Sequence, residues 1–547
     1  MPASTRPYAP AVAGVRRTGR ALDRPVVGDA AVAQPLRRPA ARAATRAAAW
    51  FCAALVCSAA VPAASLPAEV SAALRRAGVP DEALSMTLLD AASGRPLLDW
   101  RGDVARNPAS LAKLVTTSAA LERLGPAWSW RTPVWLTGPV KEGVLDGSLH
   151  IKGSGDPKLV LERVWLLLRR VQQMGVREIR GDIVLDQSAF APADSAAGDF
   201  DGETLRPYNV RPVALLLNYR SVLYTFVPDV AAGVARVLIE PTLARAQVDR
   251  TVPLAAGPCT DWRHALDASF GTDGRTRFAG SYALACGEQV WPVADPAPAG
   301  YDARLLEGLW REMGGTLGGR VREGAAPDSA PNCELRSPAL AEVVRDINKY
   351  SNNVMAEQLA LTLALQAEPG RPATAQVARE LLQRWLGERL GERLDERPRE
   401  SGSESVIVNG SGLSRESRLT TRLLARLLAA EYASPVMPEL MASLPLAGSD
   451  GTLRRSRAAI GRAHLKTGSL RDVAGVAGYV LPAGGRRVVL AAIVNHPQAN
   501  AARPALEALV QWALSHAPQG DRVELADRAG RTGPAVRRTD KRAGNPP

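Results

Sequence analysis

Patterning changes twice along this chain, near Arg131 and again near Ser337. Before the first change, Met86–Trp100 reads as two short strands joined by Ala92-Ser93-Gly94-Arg95, a hairpin signal. A helix with apolar residues three and four apart follows, Leu111, Leu114, Val115, Ala119 and Leu121. Between the changes the chain reads mainly as strands, with a helix and Gly and Asp turns: Thr132–Leu159, Ser221–Val230, Ala235–Pro241 and Arg275–Gly287. After the second change helices return over Ser337–Gln366 and about Thr420–Tyr432. A strand at His464–Leu481, a strand at Arg486–His496 and a helix at Ala502–His516 end the pattern. Outer parts of one character around a strand-rich middle predict an α+β fold, one domain with a large segment inserted into it.

The charge balance argues against nucleic acid. The formal net charge is +13, but residues 1–64 hold nine arginines against two aspartates, and residues 520–547 hold seven basic against four acidic side chains. The long middle is nearly balanced and shows no basic stripe interleaved with aromatics. Arg37, Arg38, Arg42 and Arg46 precede Ala47–Ala64, an apolar region of about 13 residues followed by small residues, the pattern of a secretory signal peptide, with cleavage expected after Ala60, Ala63 or Ala64. The segment before Arg37 is longer than a signal needs, so the true start is expected downstream. No run of 18 apolar residues is present, so at most peripheral membrane association is expected. The basic, proline-bearing stretch 517–547 reads as a disordered tail.

Cysteine use fits export. Cys52 and Cys57 fall in the signal. Cys259 and Cys286 lie in one region and are candidates for a disulfide in an oxidising compartment, with three free thiols (Cys333 included) as the alternative. The five histidines are scattered and no metal-ligand spacing occurs, so neither a metal nor any other cofactor is expected.

Three short patterns carry the chemistry. Asn107-Pro108-Ala109 leads into the first helix, with Asn107 expected as its cap and Gly125 as its stop. Lys113 lies one turn after Ser110, where a neutral lysine can take the serine's proton. Ser351 and Asn353 mark a corner between helical segments, a hydroxyl to relay a proton and an amide to hold a lysine and a substrate carbonyl. Lys466-Thr467-Gly468 lies on a strand: Lys466 supplies a second positive charge, Lys466 and Thr467 suit a substrate carboxylate, and Gly468 admits a substrate backbone. The backbone N–H groups of Ser469 and Ser110 would form a two-donor oxyanion hole. Each pattern alone has a plain reading: a surface lysine, a helix cap, an edge strand.

The order S-x-x-K, S-x-N, K-T-G is that of penicillin-binding proteins and class A β-lactamases. With Gly153–Pro157 (GSGDP), Ser337–Asn353, Gly410–Arg415 (GSGLSR) and Leu444–Arg455 added, residues 66–516 resemble the D-alanyl-D-alanine carboxypeptidases/endopeptidases, the low-molecular-mass class C penicillin-binding proteins. The 241 residues from Ser110 to Ser351 exceed what one penicillin-recognising domain needs and agree with a large insertion; no deacylating glutamate of the class A kind is identified. The resemblance implies a transpeptidase-like domain at 65–130 and 336–516, an antiparallel sheet flanked by helices, interrupted by an inserted region of two subdomains at 131–335. It implies that Arg415 and Asp156 contact the stem peptide, an arginine and an aspartate suiting the carboxylate and ammonium of a diaminopimelate side chain. Asn409 stands where the family commonly has Asp.

The expectation is therefore an exported, periplasmic serine hydrolase of peptidoglycan stem peptides. Ser110 attacks the carbonyl between two D-residues, Lys113 is its base, Ser351 with Lys466 passes a proton to the leaving amine, and Asn353 orients Lys113 and the substrate amide. β-Lactams should acylate Ser110. The oligomeric state is left open. A β-lactamase or esterase of the same fold, or a non-catalytic peptidoglycan-binding protein, are the competing readings.

Overall fold

The computed structural model describes residues 65–391 and 405–516. The signal segment with Cys52 and Cys57, the charged run after Gly391 and the basic tail lie outside the described residues.

The fold is α+β, as the patterning predicts. A central antiparallel sheet joins both outer parts of the chain. Its strands are β1 (Leu84–Asp90), β2 (Pro96–Trp100), β3 (Ala463–Leu470), β4 (Val473–Val480) and β5 (Val488–Asn495), in the order β2-β1-β5-β4-β3. The β1–β5 pairing, Leu84 opposite Val494 through Asp90 opposite Val488, brings residues about four hundred positions apart into one ladder. The stretch His464–Leu481, read above as one strand, is two. The chain reverses at Arg471-Asp472, and Leu470 pairs with Val473. Alternation in this segment continues on both sides of the turn, so periodicity alone does not reveal the reversal.

The sheet is covered on both faces, and period-two alternation sorts its side chains. Val473, Ala477, Tyr479, Val489, Ala491 and Ile493 face a helical layer. That layer holds α2 (Lys113–Leu124), α3 (Leu340–Tyr350), α4 (Asn353–Ala367), α5 (Ala375–Leu390) and α6 (Thr421–Tyr432). Leu84, Met86, Leu88, Ala474, Val476, Leu490 and Val494 face the terminal helices α1 (Ala68–Arg76) and α7 (Arg503–His516).

The start of α2 differs from expectation. Asn107 does not cap it. Its Oδ1 accepts from the Ala109 N–H two residues on, 2.9 Å away, which turns the chain locally. Ala109 then takes a left-handed φ of 47°. Ser110 sits on a tight 3₁₀ turn, Ala109–Ala112, and the α-helix proper begins at Lys113. At its far end Gly125, with φ 82°, donates its N–H to Leu121 and stops the helix as predicted.

The segment expected as an insertion, called the inserted region below, begins and ends side by side. Arg131–Leu136 pairs antiparallel with Cys333–Arg336, Arg131 opposite Arg336. Some two hundred residues therefore leave and re-enter the fold one strand spacing apart, about 4.8 Å, without stretching α2 or α3. The region has its own hydrophobic cluster, including Val134, Leu168, Phe226, Tyr282 and Trp310. Cys259 and Cys286 form a disulfide within it, and Cys333 is a free thiol among the described residues.

Ile493, fully buried on β5 against the helical layer, tests this packing. Ile493→Ala should lower unfolding free energy by about 2–5 kcal/mol in denaturant titrations; a cost below about 0.5 kcal/mol would contradict its placement in the core.

Candidate active site

The Ser110 turn is held from three directions. Asn495, at the end of β5, accepts from the Asn107 N–H at 2.7 Å and donates to the Asn107 carbonyl at 3.1 Å. The Asn107 amide donates to the Ser414 carbonyl at 2.8 Å. Two glycines press directly on the backbone. A Cβ on Gly412, whose φ is 76°, would lie 2.0 Å from the Ala109 carbonyl oxygen. One on Gly468 would lie 2.7 Å from the Pro108 carbonyl oxygen. This gives the glycine of K-T-G a reason other than the expected one: it admits the chain's own backbone at Pro108, where a substrate backbone was expected. The strand that carries Lys466 thereby runs against the turn that carries Ser110.

Lys113 is fully buried. Its Nζ donates to Ser110 Oγ at 2.9 Å, to Asn353 Oδ1 at 2.6 Å and to the Ser411 carbonyl at 2.6 Å. Three acceptors match the three donors of an ammonium. Burial nevertheless pulls the lysine down to about 7, against the opposing field of Glu357. A large share of the amine is therefore neutral near pH 7 without leaving the serine.

Ser351 ends α3 in the left-handed region, φ 58°. Asn352 caps α4, accepting from the Met355 N–H at 3.0 Å, so Asn353 falls in its first turn with the amide toward Lys113. Lys466, fully buried on β3, donates to Ser351 Oγ at 2.8 Å and to the Thr467 carbonyl at 2.8 Å. Burial, and then the neighbouring Lys113, hold it well below the ordinary lysine range. A second positive charge was expected at this residue; burial works against one. The five residues, drawn from both outer parts of the chain, thus form two hydrogen-bonded groups, Ser110–Lys113–Asn353 and Lys466–Ser351, close enough for the charge of Lys113 to act on Lys466.

The other expected substrate residues are placed differently. Alternation along β3 puts Thr467 and Ser469 on the face opposite Lys466 and Gly468. Thr467 Oγ1 donates to Thr452 at 2.8 Å, and Ser469 accepts from Arg503 at 3.1 Å. Both border a second cavity of about 480 Å³ against α7. Arg415 is half exposed, paired with Asp472 at 2.8 Å and lying 4.6 Å over the Phe200 ring. Asp156 has no exposed surface. One oxygen accepts from the Lys158 N–H at 2.8 Å, the bond of a turn, and burial raises the carboxyl to about 6. Direct contact of Asp156 with a peptide is at odds with that burial.

A cavity of about 680 Å³ opens beside the cluster. Ser351 and Asn353 line one side; Arg206, Tyr208, Tyr219 and Trp291 of the inserted region line the other. The Asn353 amide faces the Tyr208 carbonyl at 3.5 Å, and Gln358 on α4 donates to the Val213 carbonyl at 3.0 Å. The inserted region is therefore a wall of the cleft. Sequence reasoning misses Glu357, whose carboxylate accepts from Ser411 Oγ at 2.7 Å. Its signal was available: Glu357 follows Asn353 by four on a predicted helix, hence on the same face.

Gly468→Ala should force β3 off the Pro108 carbonyl and cost about 1–3 kcal/mol, seen as a lower thermal midpoint. A variant as stable as the parent would show that the strand and the turn are not in contact.

Comparisons with known proteins place the chain in a family. Residues 66–516 match the model of the D-Ala-D-Ala carboxypeptidase 3 (S13) family. The D-alanyl-D-alanine carboxypeptidase DacB of Haemophilus influenzae is 25% identical over 405 residues, 73% of this chain and 82% of the relative. A D-alanyl-D-alanine carboxypeptidase of an Actinomadura species is 26% identical over 485 residues, 83% of this chain and 86% of the relative. The crystal structure of penicillin binding protein 4 from Haemophilus influenzae superposes with a TM-score of 0.64 at 22% identity, covering 81% of this chain and 99% of that one, and so shares the fold. The chain belongs to the D-Ala-D-Ala carboxypeptidase 3 (S13) family of serine-type peptidases.

Proposed function

We propose that this chain is a D-Ala-D-Ala carboxypeptidase of peptidoglycan stem peptides that works through an acyl-enzyme on Ser110. The observation that carries the reading is Lys113, dry, close to neutral and 2.9 Å from the serine oxygen. In its neutral form Lys113 accepts the Ser110 proton as Oγ bonds to the carbonyl carbon between the two D-residues. The Asn353 amide and the Ser411 carbonyl remain as acceptors for the ammonium that results. Ser351, held by Lys466, gives its proton to the departing amine of the terminal residue as that C–N bond breaks, and takes back the proton that Lys113 received from Ser110, so both groups return to their starting forms. The pressed contact of β3 on the Ser110 turn supports the Ser110 and Ser469 N–H groups as donors to the oxyanion. Water then cleaves the ester.

Cell-envelope function after export fits the Cys259–Cys286 disulfide, which persists in oxidising compartments. Among the described residues no helix is long and apolar enough to cross a membrane. The cleft wall from the inserted region gives room for a second stem peptide, and cutting of D,D cross-links is proposed on that ground.

A fluorescent penicillin should label the wild-type protein and leave Ser110→Ala unlabelled. Equal labelling of both would end the Ser110 assignment, and fast nitrocefin turnover would favour a β-lactamase. Digests of purified muropeptides read by mass spectrometry should show loss of terminal D-alanine. Lys113→Ala should slow acylation about 10²–10⁴-fold.

Acylation should also depend on pH through Lys113. Only the neutral amine can take the proton, so the rate should rise about tenfold per pH unit below about 7 and level off above it. A rate still climbing tenfold per unit at pH 9 would show that the lysine keeps its ordinary affinity for protons.

A further inference from the structure

Lys113 is served by one group that the catalytic scheme leaves unused. On α4, Glu357 lies one turn after Asn353, and both face the lysine. Its Oε1 accepts from Ser411 Oγ at 2.7 Å, while the carbonyl of that same serine accepts from Lys113 Nζ at 2.6 Å. The turn between them is braced internally. Asn409 Oδ1 accepts from the N–H groups of Ser411 and Gly412 at 3.2 and 2.8 Å, and the Asn409 amide donates to the Leu413 carbonyl at 3.1 Å. The next residue, Gly412, is the one pressed on the Ala109 carbonyl, directly before Ser110. A single chain of contacts thus runs from Glu357 through Ser411 to both the base and the backbone of the nucleophile.

We propose that Glu357 is a positioning residue for Lys113: through Ser411 it holds an acceptor carbonyl on Nζ, and its carboxylate supplies the counter-charge for the ammonium formed when Lys113 takes the Ser110 proton. The charged groups around the pair are Lys466 on β3 and Arg211 from the inserted region. Lys466 opposes a charge on Lys113; Arg211 favours the Glu357 anion. Asn409, where the family pattern commonly has Asp, adds no second carboxylate to the turn, so Glu357 supplies the negative field at Lys113. Burial raises the Glu357 carboxyl, and the Ser411 hydroxyl, Arg211 and Lys113 all work against that rise. No proton passes to Glu357 in this scheme. One proton moves from Ser110 to Lys113 while one bond forms from Oγ to carbon, and the carboxylate stabilises the cation across the Ser411 bridge.

The proposal rests on Ser110 acylation, and the test separates the two. Acylation rates with fluorescent penicillin are measured from pH 5 to 9 for wild type, Glu357→Gln and Ser411→Ala, with thermal midpoints recorded for each. Glutamine can still accept from Ser411 but carries no charge. Loss of the anion favours neutral Lys113, so the acid midpoint of Glu357→Gln should fall by about one pH unit. The plateau rate should drop about tenfold, because the new ammonium lacks its counter-charge. Ser411→Ala keeps the carboxylate and cuts the bridge; its midpoint should move the same way by less. A folded Glu357→Gln with the wild-type midpoint overturns the proposal, as does an unmoved midpoint in Ser411→Ala should the first variant fail to fold. A wild type that is never labelled overturns the Ser110 reading instead.

Discussion

Two lysine head groups share one dry region of this protein, and the surrounding structure is arranged around that fact. An ammonium taken out of water is costly unless fully hydrogen-bonded and paired. Lys113 has three acceptors and Lys466 two, yet burial still draws both below the usual lysine range, and the neighbouring Lys113 adds to the fall at Lys466. The result is a pair of amines held less basic than ordinary lysines, each beside a serine hydroxyl. Acylation and protonation of the leaving group need such groups on either side of the scissile bond.

Keeping those amines dry and in register requires close backbone packing. The Ser110 turn is pressed between Gly412 and Gly468, and any side chain at either position would push it away. Asn495 fixes Asn107, three residues before Ser110, by both its N–H and its carbonyl. These constraints come from β5, β3 and the Gly410–Arg415 turn, all more than 290 residues downstream of the serine. They can act because β1 pairs with β5, which closes the two outer parts of the chain into one sheet. The inserted region does not disturb that closure, since its first and last strands pair with each other. It contributes at the site instead, where Tyr208 and the Val213 carbonyl meet the start of α4.

Much of the site was legible in order and spacing. Ser110 and Lys113 three apart, a corner at Ser351, and Lys466 on a strand each follow from local patterns, and the structure places all of them together. The α+β fold was legible for the same reason, because apolar periodicity is a short-range property that each segment carries by itself. The misreadings also have local causes. Asn107 has a cap's chemistry, but its side chain bonds two residues ahead and makes a turn. Arg471-Asp472 reverses the chain without interrupting alternation. Glu357 looked like an ordinary helix residue because its partner, Ser411, is 54 positions away.

By itself the sequence determined most of the secondary elements, the chemistry of the proposed nucleophile and its proposed base, and the order in which the three motifs arrive. It did so through contacts within a helical turn or a strand repeat, which depend on neighbours only. Tertiary structure alone decided that Lys113 and Lys466 are buried, that Thr467 and Ser469 turn to the other face, and that Asp156 is sealed while Arg415 pairs with Asp472. Burial and ion pairing depend on what packs over a residue from elsewhere in the chain. That covering layer, and with it the proton affinity of both lysines, exists only once the sheet has closed.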